Sequence, residues 1–274
     1  MRLGPSQAIR PRMTRPAGGR WLAEARNLLD RLEASQMPAI ADTAALCADA
    51  IGSGGMVHLF GTGHSRIPLE EMFPRYGSYP GFHPMAELSM THHTQVVGVN
   101  GQRQAMFIER VEGLAEVILS NFHFGRHDVM IVFSAGGLGA VPIEMAIGAR
   151  SRGLPVVAVT SVKQSSAGAP GHSSGSRLMD HADIVIDIGT PDGDAMVALN
   201  GLDTPVGPGS TLASVAVVNE IKVQTAELLH RRDALPDVLT SAAVVGRDRS
   251  RELFDGAYRE HARRLARVLA GDEM

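Results

Sequence analysis

Met56-Val57-His58-Leu59-Phe60-Gly61-Thr62-Gly63-His64-Ser65 is the stretch on which the reading of this chain turns. Five residues suited to a buried strand run into a Gly-x-Gly turn, and the turn ends in an imidazole and a hydroxyl. In a parallel α/β sheet, ligands bind at such strand ends, where loops open beyond the carboxyl edge. Glycine lets the backbone approach an anion closely, and the first amides of a following helix point at it. The stretch lacks the third small residue of a dinucleotide fingerprint, because Ile67 and Pro68 stand there. It also lacks the Gly-Lys-Ser/Thr of a P-loop.

Working outward, the same unit returns in altered form. Residues 128–134 are a second apolar run, ending in Ser134-Ala135-Gly136-Gly137-Leu138-Gly139. Residues 154–160 are a third, ending in Thr160-Ser161, and residues 183–188 a fourth. Between them the spacing predicts helices over residues 69–73, 109–122, 142–152 and 172–181. Residues 74–84 are turn-rich and aromatic. Residues 21–51 carry helical periodicity with a break expected at Pro38. Long helices are expected over 211–232 and 249–269. Strands alternating with helices predict an α/β fold on a parallel sheet with right-handed crossovers.

Composition narrows the function classes. The chain has 274 residues, 44% hydrophobic and 20% charged, with net charge −3. No basic excess points to nucleic acid, and no apolar run approaches the roughly 20 residues needed to span a bilayer. The single Cys47 excludes an internal disulfide and a zinc site built on cysteines within the chain. It fits a reducing, cytoplasmic setting. Residues 1–20 hold Arg2, Arg10, Arg12, Arg15 and Arg20, no acid, and no apolar signal core. They read as a disordered basic leader, ahead of a single domain over residues 21–270.

Eight motifs, in order along residues 22–260, carry a resemblance. They are Gly61-Thr62-Gly63-His64-Ser65, Glu71-Met72-Phe73, Val141-Pro142-Ile143-Glu144-Met145-Ala146, Val159-Thr160-Ser161, His172-Ser173-Ser174-Gly175, Ala182-Asp183-Ile184-Val185-Ile186-Asp187, Gly193-Asp194-Ala195 and Ser210-Thr211. Together they resemble the sugar isomerase (SIS) domain family, in its branch of phosphosugar-binding, sugar isomerase domain-containing proteins. The resemblance implies a three-layer α/β/α sandwich with a parallel flavodoxin-like sheet, flanked by N- and C-terminal helices. It also implies a homodimer or higher homo-oligomer, and strand-end Ser/Thr loops that hold the phosphate of a phosphorylated sugar. Two segments depart from the family pattern. Family members often have Ser-Asn-Ser-Gly-Arg-Asn where this chain has residues 134–139, so two polar side chains and a cation are missing. The family's Asn and Asp are likewise missing from Ser241-Ala242-Ala243-Val244-Val245-Gly246.

A phosphate dianion needs many N–H and O–H donors and does not require lysine. The expected donors are the hydroxyls of Thr62, Ser65, Ser134, Thr160, Ser161, Ser210 and Thr211, with backbone at Gly61, Gly63, Gly136 and Gly137. Aldose–ketose isomerisation needs a base to move a proton between adjacent carbons and an acid–base group to open the ring. Glu87 is the first expected base. Glu71 is the second, on the helix where related isomerases carry a functional Glu. His64 and His172 are the expected ring-opening groups, whereas Glu144 and Glu220 fall on helices outside the catalytic set. No metal and no organic cofactor are expected, since neighbouring His92 and His93 on a strand point to opposite faces. Two other readings stay open: a non-catalytic phosphosugar sensor, and a lyase or etherase acting on an amino-sugar phosphate.

Overall fold

The structure, a computed structural model, describes residues 18–87, 90 and 101–271, with Gly101 and Gln102 in backbone only. The leader up to Ala17 and the pair His92 and His93 lie outside the described residues.

Strands β1 (Val57–Gly61), β2 (Phe82–Met85), β3 (Val129–Phe133), β4 (Val156–Thr160) and β5 (Ile184–Asp187) form one sheet in the order β2-β1-β3-β4-β5. Every pairing is parallel. This is the flavodoxin-like doubly wound order, whose switch point lies between β1 and β3. The central strands are mostly apolar because both faces are covered, with His58 of β1 buried beside Asp128. Val57, Leu59, Ile131 and Val157 pack on one face and Phe60, Met130, Val132 and Ala158 on the other.

The helices are α1 (Arg20–Gly52), α2 (Ile67–Met72), α3 (Gly101–Ile108), α4 (Leu114–Leu119), α5 (Ala140–Ser151), α6 (Val162–Ala167), α7 (Ser210–Arg231), α8 (Ala242–Val245) and α9 (Arg247–Ala270). A short antiparallel pair, β6 (Ala195–Val197) with β7 (Val206–Pro208), precedes α7. Helices α1 and α7 cover the first sheet face, while α4 and α5 cover the second. The resulting layers are the α/β/α sandwich expected from the sequence.

Several local expectations are corrected. Helix α1 runs through Pro38 without a break. Pro38 is exposed, so water can satisfy the carbonyl its missing N–H leaves behind. Burial of Leu32 on one side of it and Ile40 and Ala44 on the other keeps the helix on the sheet. Residues 109–122 do not form one helix. α3 ends at Ile108 and α4 begins at Leu114, because Gly113 takes φ 88° and donates its amide to Glu144. Residues 172–181 form a loop with a single 3-10 turn, Leu178–His181. Ser174 and Ser176 bond to each other and to His172 and His181, competing with helical backbone bonds. The segment containing Pro84 supplies β2, an edge strand, where a missing N–H is tolerated.

Candidate functional site

The carboxyl edge of the sheet gathers most of the expected residues. Because β1 pairs with β3 through Gly61 and Phe133, the loops starting at Thr62 and Ser134 are neighbours at the switch point. Gly61 is required here, since a Cβ would collide with the Ser65 carbonyl. Gly63 takes φ 54° at the start of a 3-10 turn, Gly63–Arg66, that leads into α2. His64 is exposed on that turn and Ser65 half-buried. Thr62 is nearly buried, and its hydroxyl donates to Glu109 Oε2 at 2.8 Å.

The β3 loop is built on its own backbone. Ser134 Oγ accepts the amide of Gly137 at 3.2 Å, and Gly137 adopts φ 60°. A Cβ at Gly137 would lie 2.9 Å from Thr160 Oγ1. The loop ends at Gly139, which caps α5 without a side-chain acceptor. Within its first turn Ile143 N returns to the Gly139 carbonyl at 3.3 Å and Pro142 has no N–H to offer. Val141 N donates to the Glu109 carbonyl at 3.0 Å, so Glu109 joins both loops.

The hydroxyls of the other strand ends are already engaged. Thr160 and Ser161 are fully buried. Thr160 Oγ1 donates to the Ala135 carbonyl at 3.2 Å, and Ser161 Oγ to that of Thr190 at 2.8 Å. They tie the β3, β4 and β5 loops together. At the start of α7, Asp194 stands where an anion was expected. It accepts Ser210 N at 2.7 Å, Ser210 Oγ at 2.6 Å and Gly209 N at 3.1 Å. Asp194 holds φ 67° to do so, a conformation that Asp tolerates better than most residues. Thr211 follows, half-buried.

The expected catalytic residues separate. Glu87 lies two residues past β2, half-buried at the carboxyl edge. Glu71 is turned toward α7. Its carboxylate meets Lys222 Nζ at 3.5 Å and Arg75 Nη1 at 2.8 Å. Burial pushes the Glu71 carboxyl up, but the charges of Lys222 and Arg75 and hydrogen bonds from Arg75 and Asn219 outweigh it and hold it below the usual carboxylate range. His172 sits beside the β3 loop, where Gly171 N donates to the Leu138 carbonyl. His172 Nδ1 is 2.7 Å from Ser174 Oγ, and its Nε2 lies 3.4 Å from Glu144 Oε1 and 4.0 Å from Glu112 Oε2.

Glu109 and Glu112 were not singled out in the sequence. Both fall in the turn between α3 and α4, which periodicity reads as helix; the signal for the turn was Gly113. Glu112 accepts the amide of Ser173 at 2.5 Å and its hydroxyl at 2.6 Å. These two bonds hold the Glu112 carboxyl below its usual range. Ligand atoms of Glu112, Glu144 and His172 lie within 4.8 Å of one another, a grouping that offers three ligands to a divalent cation. Both carboxylates already accept backbone amides, so the group is also satisfied as a carboxylate-flanked imidazole.

Comparison with known proteins follows the same lines. A model of the SIS domain matches residues 20–161. A UPF0309 protein of Streptomyces avermitilis is 32% identical over 247 residues, covering 89% of this chain and 95% of the relative. The UPF0309 protein lin2794 of Listeria innocua is 31% identical over 233 residues, covering 85% and 92%. Among solved structures, a phosphoheptose isomerase from Francisella tularensis superposes with TM-score 0.50 at 13% identity, covering 76% of this chain and 96% of that one. That likeness is one of fold.

Proposed function

We propose, for a chain that belongs to the SIS-domain family, that the β1 and β3 loops bind a phosphorylated sugar and that neighbouring carboxylates isomerise it. The observation that carries this reading is the bond from Thr62 to Glu109 at the switch point, which sets a carboxylate between two donor loops. The phosphate is assigned to Ser65, Ser134 and the Gly63 and Gly136 backbone, with Thr62 holding Glu109 beside them. Thr160, Ser161 and Ser210 act one step back, holding the loops in place. Such a site attracts a dianion through neutral hydroxyl and backbone donors rather than through cations.

Aldose–ketose isomerisation removes a proton from the carbon next to the carbonyl and returns it to the neighbouring carbon through an enediol. Glu109 and Glu87, both at the carboxyl edge, are the proposed bases. Glu71, held by Lys222 and Arg75 below the usual carboxylate range, is a poor proton acceptor. His172, flanked by Glu144, is proposed to carry the ring-opening proton, with His64 above the phosphate loop. The fold-level kinship to isomerases does not by itself assign chemistry. The same bases suit an elimination from an amino-sugar phosphate, which begins with the same proton abstraction.

A thermal-shift series of sugar phosphates, each beside its unphosphorylated sugar, tests the binding step, because a ligand of the folded state raises apparent stability by mass action. Stabilisation confined to the phosphorylated members is expected. Turnover of the best ligand, followed by NMR, should disappear in Glu109→Gln while binding persists. Binding without turnover in the parent protein would assign the chain a sensing role. A shift by free sugars alone would end the phosphosugar reading.

A further inference from the structure

We infer that the amino edge of the sheet, opposite the loops described above, carries a second small-molecule site that takes a polyanion. A cavity of about 630 Å³ opens there between the start of β1, the start of β3 and the last turns of α9. Cavities that hold metabolites and cofactors commonly measure about 300–1,000 Å³. Among the described residues its wall includes Arg126, Arg264, Arg267, His123, His127 and a single carboxylate, Asp128.

The charge balance of this wall is one-sided, and its acceptors are taken. Asp128 Oδ1 accepts Met56 N at 2.8 Å, while Oδ2 accepts Gly125 N at 2.7 Å and faces His58 Nε2 at 3.1 Å. The carbonyls at the end of α1 are covered as well. Arg264 donates to Gly55 O at 2.5 Å and to Ile51 O at 3.1 Å, and Arg267 donates to Gly54 O. Arg264 is 5% exposed and pairs with Glu260 at 2.8 Å, so one cation is both fixed and balanced. With Asp128 offsetting one charge, the remaining surplus among the described residues is carried by Arg126 and Arg267, both exposed. Guanidinium groups present planar paired donors that match phosphate and carboxylate oxygens. Phosphorylated metabolites and polycarboxylates share that chemistry.

The site lies at the opposite ends of β1 and β3 from the proposed phosphosugar loops. A ligand there stands apart from the sugar, so it is separable from it by mutation. The test titrates the full chain with sodium tripolyphosphate and with citrate in a calorimeter at constant ionic strength. One saturable site per chain is expected, weakening as salt is raised. Arg126→Glu reverses a charge on an exposed side chain whose bonded partner is its neighbour His127, so the fold should survive, as its melting curve will report. That variant should bind at least roughly tenfold more weakly, whereas Lys163→Glu, an exposed charge at the other edge, should bind as the parent does. Binding of tripolyphosphate alone assigns phosphorylated ligands, and binding of citrate alone assigns polycarboxylates. No saturable binding of either probe, or binding undiminished in Arg126→Glu, overturns the inference.

Discussion

Replacing Asp128 with Ala should be among the most damaging single changes on the sheet's amino edge. Asp128 is 5% exposed and joins β1 to β3 ahead of their first ladder bonds. Its carboxylate accepts Met56 N at 2.8 Å and Gly125 N at 2.7 Å, and faces His58 Nε2 at 3.1 Å. Alanine leaves three donors without that acceptor. An orphaned buried donor costs about 1–3 kcal/mol. The adjoining cavity admits water, which favours the low end, so the loss should be about 3 kcal/mol. At about 2–4 °C per kcal/mol for a chain of this size class, the melting temperature should fall by roughly 6–12 °C. Asp128→Asn keeps one acceptor oxygen and should lose clearly less. Burial pushes the Asp128 carboxyl up, but the hydrogen bond and charge of His58 and the two amides outweigh it, so its folded pKa lies below the ordinary value. Its stabilisation is then complete above the ordinary carboxylate range and disappears as pH falls through the folded pKa. The gap between parent and Asp128→Ala should accordingly narrow below about pH 4. Urea melts at stepped pH measure all of this. A loss under about 1 kcal/mol at neutral pH, with an unchanged m value, would refute the reasoning.

Three further outcomes are expected. His83 is held neutral, its pKa pushed down to about 3 by burial and then by the charges of His58 and His261. Because the unfolded chain binds this proton near the ordinary value of 6.5, stability should decline as pH falls from there toward about 3, and His83→Gln should flatten that decline in urea melts. Gly137→Ala forces a side chain onto φ 60° with its Cβ 2.9 Å from Thr160 Oγ1. It should cost about 1–2 kcal/mol and weaken sugar-phosphate binding in the thermal-shift series; an unchanged melting curve would contradict the strained loop. Pro38→Ala should stabilise the chain by about 2 kcal/mol, the helix-interior penalty of proline less its restriction of the unfolded chain. A melting temperature that does not rise would show that Pro38 sits in α1 without strain.

The alternation of apolar runs and helical periods determined the fold class and four of the five strands of the parallel sheet. That much is local, because a strand buried on both faces must be apolar throughout and a crossover helix must be amphipathic. Gly61 and Gly63 were legible for the same reason, since the β1 loop needs a backbone that only glycine supplies easily. Edge strand β2 was not legible, because Pro84 and His83 read as turn until β1 is present to pair with them. Nor was α1's continuity through Pro38, which depends on packing against α7 that a local rule does not contain. The hydroxyl set shows the same limit. Thr62 and Thr160 look alike in sequence, both following an apolar run, yet one meets Glu109 and the other the Ala135 carbonyl. Asp194, named in the sequence only within the Gly193-Asp194-Ala195 motif, fills the helix end where a phosphate was expected. Glu109 and Glu112 read as positions on a helix face until Gly113 ends that helix and Glu144, far along the chain, takes its amide. Which hydroxyl faces a ligand and which carboxylate stands beside it depends on partners tens of residues apart, and only the tertiary structure decides those.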